Sequence, residues 1–164
     1  MTERLIGVIT TIQQPTESSK ALASRLRKAD SKLIVIGDRK GPAGYDLEGV
    51  EFLSLARQLE SEFELARKLP TGHYARKNIG YLKAVKHGAS CVYETDDDNA
   101  PLDSWAPRAE TVGAVALEQI GWVNVYRLFS DESIWPRGFP LDALADSFSK
   151  FPSLAEETDR KSVV

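Results

Sequence analysis

The sequence predicts an α/β fold in which a doubly wound, mostly parallel sheet is flanked by helices. Three observations predict this fold. Short, almost uncharged runs rich in β-branched residues, typical of strands buried on both faces, recur along the chain. Longer segments with apolar residues at helical spacing lie between them. Polar residues also follow the ends of three of the runs, and in such sheets ligands bind beyond the carboxyl ends of the strands.

Length and composition indicate an ordinary globular protein. The chain has 164 residues, of which 42% are hydrophobic and 27% charged, and its net charge of −3 excludes a strongly basic surface for nucleic acid. Cys91 is the only cysteine, which excludes an intrachain disulfide and a cysteine-built zinc site. The N-terminus shows neither a signal peptide nor a membrane span, so we expect a cytoplasmic location. We assign residues 1–150 to one domain and 151–164 to a polar, poorly ordered tail.

The first half of the chain begins with a strand, a helix and a second strand. The run from Leu5 to Ile12 is almost uncharged and β-branched, which predicts a buried strand. From Ser18 to Ala29, apolar residues recur at i, i+4 and i+7 between basic ones, which predicts an amphipathic helix. Lys32 to Gly37 is a second buried run, and the Gly and Pro content of Asp38 to Gly44 predicts a loop.

Further elements follow with the same alternation. Val50 to Leu55 is a weaker strand candidate, and Ala56 to Lys68 has the spacing of a helix. A third helix is predicted from His73 to His87, where Gly88 can end it in a left-handed conformation. Ser90 to Thr95 is the next strand. Much later, Gly121 to Tyr126 alternates like a strand that could extend the sheet.

Three carboxylates in a row, Asp96, Asp97 and Asp98, come directly after the strand at Ser90 to Thr95. Like charges about 4 Å apart near a protein surface repel by up to roughly 4 kcal/mol, so solvation or a cation must offset the repulsion. In an extended segment Asp96 and Asp98 lie on one side. Two such carboxylates can hold Mg²⁺ or Mn²⁺, with substrate phosphates completing the shell. A solvated acidic turn explains the same residues, and both interpretations stay open.

Two basic residues, Arg76 and Lys77, lie near the start of a predicted helix, where the free N–H groups and the helix dipole favour anions. An arginine there can bind phosphate through two hydrogen bonds, and a lysine as a point charge. A solvated helix face is the alternative. The predicted topology brings three loops to one edge of the sheet: Thr10 to Gln14, Asp38 to Lys40, and Asp96 to Asn99.

Four segments resemble the STELLO-like family of glycosyltransferases and cover most of residues 5–142 in the family's order. They are VITTIQQPTE, LIVIGDRKGP, RKNIGYLKAVKHGASCVYETDDDNAP and NVYRLFSDESIWPRGFPLD. The resemblance implies a GT-A-like fold, the architecture of nucleotide-diphospho-sugar transferases. It also implies an Asp-x-Asp motif that works with Mn²⁺ or Mg²⁺.

On this chain the resemblance implies Asp96 and Asp98 as the metal-binding pair, with Asp98 the better candidate for a direct ligand. It implies contacts to the nucleotide and its diphosphate from nine residues: Thr10, Thr11, Ile12, Asp38, Arg39, Arg76, Lys77, Asp96 and Asp97. In the loop from Ile134 to Pro140, Trp135 and Arg137 are candidate contacts to the sugar or acceptor. The alternative for that loop is that its aromatic residues cover an edge of the core.

The expected function is that of a metal-dependent glycosyltransferase-like protein, which binds a nucleotide-diphospho-sugar such as a UDP-sugar and transfers the sugar to an unknown acceptor. Relatives are expected to be longer, so the chain is interpreted as a shortened member or a fragment. The alternative function is therefore a non-catalytic module that binds a nucleotide sugar or a partner, without a complete acceptor half.

A homodimer is a further expectation, and no nucleic-acid partner is expected. A phosphotransferase or hydrolase is disfavoured, because Thr10 and Thr11 stand where a nucleophilic aspartate is needed. No general base can be named.

Overall fold

The computed structural model describes residues 4–108, 111–112, 121–143 and 162–163. The chain divides into two compact units, Met1–Pro107 and Arg108–Val164. Most of the predicted tail, 151–164, lies outside the described residues, and the assignment of 1–150 to one domain stays a prediction. Among the helices that the structure describes, none combines the length and the apolar character that a membrane span requires.

The first unit contains a four-stranded parallel sheet with helices between the strands. Its elements are β1 (Leu5–Thr11), α1 (Glu17–Lys28), β2 (Lys32–Gly37), β3 (Val50–Leu53), α2 (Leu55–Leu59), α3 (Leu65–Lys68), a 3₁₀ turn (Tyr74–Arg76), α4 (Lys77–Lys86) and β4 (Cys91–Glu94). The strand order is β3-β2-β1-β4 and every pair is parallel. The predicted α/β class is therefore confirmed, and the sheet is consistent with a GT-A-like fold.

The central strands β1 and β2 are buried on both faces, which explains why they are uninterrupted apolar runs. In β2, Leu33 and Val35 pack in the cluster that contains the apolar residues of α1. Ile34 and Ile36 point the other way and pack with Ile79 of α4. Because successive side chains of a strand alternate faces, β1, β2 and β3 each contribute to both clusters.

Two helices differ from their predicted extents, each for a local reason. The helix expected from Ala56 to Lys68 is two short helices, because the Ser61 hydroxyl donates a hydrogen bond to the carbonyl of Gln58 at 2.6 Å and ends α2 early. The helix expected from His73 begins as a 3₁₀ turn, in which Nδ1 of His73 accepts a hydrogen bond from Ala75 N–H at 3.0 Å. Gly88 follows α4 with φ of +77°, as predicted.

The second unit is described only in part, and the strand predicted from Gly121 to Tyr126 is wrong. A 3₁₀ turn, Val125–Leu128, occupies part of that segment. The buried side chain of Asn124 accepts a hydrogen bond from Tyr126 N–H at 3.2 Å and donates one to the carbonyl of Ile134 at 3.0 Å. These bonds curl the chain instead of extending it. Two-residue strands at 111–112 and 162–163 pair in antiparallel fashion.

Candidate functional site

A cleft of about 610 Å³ lies in the first unit, at the edge of the sheet where β1, β2 and β4 end. All three loops that sequence analysis places at this edge contribute to it. The lining includes residues 10–13, 38–40, 72–74 and 96–98, together with Ile36, Gly37 and Arg76. In a parallel sheet the carboxyl ends of neighbouring strands lie side by side, and this brings segments distant in the sequence into one cleft.

The acidic turn, residues 96–98, is attached to β1 and to the start of α1. The hydroxyl of Thr11 donates a hydrogen bond to the carboxylate of Asp97. The hydroxyl of Thr16, which also caps α1, donates to the carbonyl of Asp97 at 2.7 Å, and that of Ser18 donates to the carbonyl of Asp98 at 3.2 Å. Asp97 and Thr11, both predicted nucleotide contacts, are therefore bonded to each other. Their bond fixes the position of the turn.

Asp96 is paired with Lys77 beneath the turn. The Lys77 side chain is only 1% exposed, and its Nζ lies 3.0 Å from Oδ1 of Asp96 and 3.0 Å from Oε1 of Glu94. The same Nζ donates to the carbonyl of Thr95 at 3.1 Å and to the hydroxyl of Tyr74. The Tyr74 hydroxyl donates to Oδ1 of Asp96 or Oε1 of Glu94, at 3.1 and 2.9 Å. Lys77 is thus bonded to protein groups instead of presenting its charge to the cleft.

The pKa values of this network follow from its contacts. Burial by itself lowers the pKa of Lys77, but the hydrogen bonds to Tyr74, Asp96 and Glu94 outweigh burial and hold that pKa above its ordinary value. Hydrogen bonds from Tyr81, Lys77 and Tyr74 lower the pKa of Glu94 to about 2. Both members of the Lys77–Glu94 pair are therefore charged throughout the neutral range.

Asp98 differs from the other two aspartates. Its side chain is exposed and lines the cleft. Within the part of the chain that the structure describes, its carboxylate makes no hydrogen bond or ion pair with another residue, whereas the carboxylates of Asp96 and Asp97 are both bonded. Asp98 therefore keeps both carboxylate oxygens available to a ligand.

The donor set of the turn fits a hard divalent cation that takes only part of its shell from protein. Among the described residues, no group of three or more His, Cys, Asp or Glu side chains is placed to share a metal ion. Mg²⁺ and Mn²⁺ nevertheless need only one or two carboxylates where phosphates and water supply the rest. Asp98 offers one such carboxylate in the cleft, and Asp96 lies beside it.

Arg76, predicted to contact a diphosphate, lines the cleft with a side chain that is bonded to protein groups. Its side chain is buried, with 1% exposure, and its guanidinium donates hydrogen bonds to Oε1 of Gln58 at 2.8 Å and to the carbonyls of Leu69 and Ala66 at 3.1 and 3.2 Å. Gln58 is itself fully buried and donates to the carbonyls that end β2 and β3. The guanidinium joins α2 and α3 to the sheet beneath the cleft.

The loop after β2 carries basic side chains on the cleft surface. Asp38 accepts hydrogen bonds from Arg39 N–H at 2.6 Å and His73 N–H at 3.1 Å, which ties this loop to the segment before α4. Burial alone would raise the pKa of Asp38, but the backbone hydrogen bonds outweigh it and lower that pKa. The side chains of Arg39 and Lys40 are exposed and line the cleft. Lys40 adjoins Arg39 in the same predicted loop, but no sequence pattern singles it out as a contact.

The remaining predicted contacts have these positions. Thr10 and Ile12 line the cleft, and Ile12 is 54% exposed at its rim. Trp135, 57% exposed, and Arg137, also exposed, belong to the second unit, and their roles toward a sugar or acceptor stay predictions. Phe139 is buried against Trp122, with ring centroids 5.9 Å apart, so its role is packing.

The fold and the cleft define an α/β protein with an open cleft at the carboxyl edge of its parallel sheet, consistent with a GT-A-like fold. No protein-family model matches the chain. Two Arabidopsis thaliana proteins, named Probable glycosyltransferase STELLO1 and Probable glycosyltransferase STELLO2, are each 31% identical to it over 159 residues. The alignments cover 88% of this chain and 20% of each relative, so the chain spans about a fifth of the length of these curated relatives. The resemblance to the STELLO-like glycosyltransferases is confirmed.

Proposed function

We propose that the cleft binds a nucleotide-diphospho-sugar, a UDP-sugar in particular, together with Mn²⁺ or Mg²⁺, and that the protein acts as a glycosyltransferase on an acceptor still to be identified. One observation carries the proposal. The exposed carboxylate of Asp98 stands in the same cleft as the exposed basic side chains of Arg39 and Lys40. A diphosphate with its counter-ion needs both kinds of group, cationic side chains for phosphate oxygens and a carboxylate for the metal.

Within this proposal the diphosphate-binding role moves from Arg76 and Lys77 to the loop after β2. The first two cations are buried and bonded to protein oxygens, whereas Arg39 and Lys40 are exposed in the cleft. Arginine and lysine at the surface keep their charge and can follow a flexible ligand. We therefore expect Arg39 and Lys40 to contact phosphate, and their contribution to fall as salt concentration rises.

The chain's own residues have distinct tasks in this proposal. Asp98 would hold the divalent ion, Asp96 lies beside it and is paired with Lys77, and Asp97 keeps the turn attached to Thr11. Thr10 and Ile12 border the space for the nucleoside at the end of β1. A divalent ion held there would supply positive charge to offset the charge on the departing diphosphate. Arg39 and Lys40 stabilise the same charge by electrostatic attraction.

Calorimetric titration with UDP, with and without Mn²⁺, tests the binding. In the wild type we expect Mn²⁺ to strengthen UDP binding, and Asp98→Asn to lose that increment. The variant Asp46→Asn changes the same residue type at an exposed site outside the cleft lining and serves as the control. If Asp98→Asn retains the full Mn²⁺-dependent increment, the assignment of the metal site is wrong.

Turnover is tested separately, by release of UDP from UDP-sugars with and without candidate acceptors. Release that depends on Mn²⁺ and on Asp98 supports the transferase. Metal-dependent binding of UDP without release supports the alternative, a module that holds a nucleotide sugar without transferring it. Asp96 is paired with Lys77, so Asp98 is the one fully available carboxylate of the turn. This pairing is the reason to test the binding module directly.

A further inference from the structure

Lys77 is a buried cation whose ammonium hydrogens all have protein acceptors within hydrogen-bond distance. An ammonium group has three N–H donors, and four protein acceptors lie within reach of this one: the hydroxyl of Tyr74, Oε1 of Glu94, the carbonyl of Thr95 and Oδ1 of Asp96. The ammonium also lies 4.1 Å from the centroid of the Tyr74 ring. With 1% of the side chain exposed, Lys77 has no hydrogen left for a ligand in the cleft.

The contacts of Lys77 reach the acidic turn at two points. The ammonium binds the carbonyl of Thr95, immediately before the turn, and the carboxylate of Asp96, its first residue. Oδ1 of Asp96 is thereby shared between Lys77 and the Tyr74 hydroxyl. A divalent ion bonded to the same oxygen would be drawn close to the ammonium, and the two positive charges would repel each other.

Resting on the proposed function, we propose that Lys77 is a positioning residue, a built-in counter-ion that holds Asp96 out of direct metal ligation. The turn then offers a divalent ion one carboxylate, that of Asp98. A single carboxylate binds Mg²⁺ or Mn²⁺ weakly, so the ion is held firmly only when a diphosphate supplies further oxygens. Lys77 in this way makes metal binding depend on the nucleotide.

Titration with Mn²⁺ alone tests the inference without any turnover. The electron paramagnetic resonance signal of the free ion measures how much Mn²⁺ is bound. Lys77→Met keeps the length of the side chain and removes its charge, which frees Asp96. We expect this variant to bind Mn²⁺ more tightly than the wild type, by up to roughly fivefold, the effect of one partly exposed charge pair. The gain should disappear in the double variant Lys77→Met/Asp96→Asn. If Lys77 only supported the fold, its replacement would weaken Mn²⁺ binding instead of strengthening it.

Lys83→Met is the matched control. Lys83 lies on the same helix, α4, and also pairs with a carboxylate, that of Glu51 at 3.0 Å, but neither residue lines the cleft. Its replacement removes one positive charge from the protein without freeing Asp96. We expect its affinity for Mn²⁺ to stay within about twofold of the wild type, because Lys83 pairs with Glu51 and not with the acidic turn.

If Lys77→Met does not fold, a comparison of Asp96→Asn with Asp98→Asn tests whether Asp96 is a metal ligand. Asp96 and Asp98 are exposed, so their substitution by asparagine leaves the core intact. Asp98→Asn should abolish Mn²⁺ binding, and Asp96→Asn should change it by less than about twofold, as expected for a carboxylate that is already paired. Equal losses in the two variants would make Asp96 a ligand and overturn the inference, as would a Lys77→Met protein that binds Mn²⁺ no better than the wild type.

The proposed function and this inference fail in different experiments. A wild type that does not bind UDP, with or without Mn²⁺, overturns the proposed function. The series with Mn²⁺ alone still decides the role of Lys77, since a gain of Mn²⁺ binding in Lys77→Met that requires Asp96 supports the counter-ion in either case.

Discussion

Replacing Arg76 by methionine distinguishes a structural guanidinium from a ligand contact. The substitution removes the hydrogen bonds to Gln58, Leu69 and Ala66, whose donor–acceptor distances are 2.8, 3.1 and 3.2 Å. It keeps most of the aliphatic stem, so the packing volume changes little. Three acceptors below the cleft lose their donor, and Gln58, which is fully buried, has no access to water as a replacement.

The expected loss of stability follows from these three bonds. At about 1 kcal/mol for each net hydrogen bond, the free energy of unfolding should fall by about 3 kcal/mol. That is a large fraction of the roughly 5–15 kcal/mol by which domains are stable. Urea unfolding followed by circular dichroism measures it. Because the guanidinium is buried and bonded to protein acceptors, the affinity of the folded variant for UDP should change by less than about twofold. A tenfold loss would correspond to about 1.4 kcal/mol.

Arg57→Met provides the control for the Arg76 variant. Arg57 is exposed and donates one hydrogen bond, to the carbonyl of Phe52 at 3.0 Å. Its replacement should cost about 1 kcal/mol or less. The structural role of Arg76 would be refuted if Arg76→Met unfolded at the wild-type urea concentration and bound UDP much more weakly. That result would return the guanidinium to the phosphate-binding role that sequence analysis predicts.

Two further predictions concern the packing of α4 and its polar edge. A methyl group added in Gly80→Ala would lie 2.5 Å from Cγ1 of Val8, so overpacking of about 1–3 kcal/mol should exceed the helix-propensity gain of about 1 kcal/mol. A lower urea midpoint is expected, and a higher one would show that the helix can move away from the sheet. Burial alone would raise the pKa of Glu51, but hydrogen bonds from Lys83 and His87 outweigh it and hold that pKa below its ordinary value of 4.5. Glu51 therefore adds stability above pH 4.5 that is lost as the pH falls below that value. The melting temperature of Glu51→Gln should fall less steeply on acidification than that of the wild type, and equal slopes would contradict the assignment.

The parallel sheet could be predicted because its chemistry is local. Lys32–Gly37 is a strand with the same bounds as predicted, since a strand covered on both faces must be a continuous apolar run. The meeting of the three loops could also be predicted, because parallel strands place their carboxyl ends at one edge. The triplet Asp96, Asp97 and Asp98 belongs to one of these loops, and its position in the cleft follows from the same rule.

The orientation of the basic residues could not be predicted in this way. Helical spacing shows that Arg76 and Lys77 lie near a helix start, but the rotation of that helix against the sheet decides where each side chain points. The acceptors that bury Arg76 include Gln58, 18 residues away, which has no recognisable link to it in the sequence. The strand predicted from Gly121 to Tyr126 failed for a similar reason, because the hydrogen bonds of one buried side chain, that of Asn124, override an alternating pattern.

The sequence by itself therefore determined the α/β class, the edge of the sheet at which the cleft lies, and the likeness to the STELLO-like glycosyltransferases. Only the tertiary structure decided which charges face that edge. Asp98, Arg39 and Lys40 are exposed there, whereas Arg76 and Lys77 are enclosed by protein oxygens. The physical reason is that a charge buried in the interior must be paired, and its partners come from segments that meet only when the chain has folded.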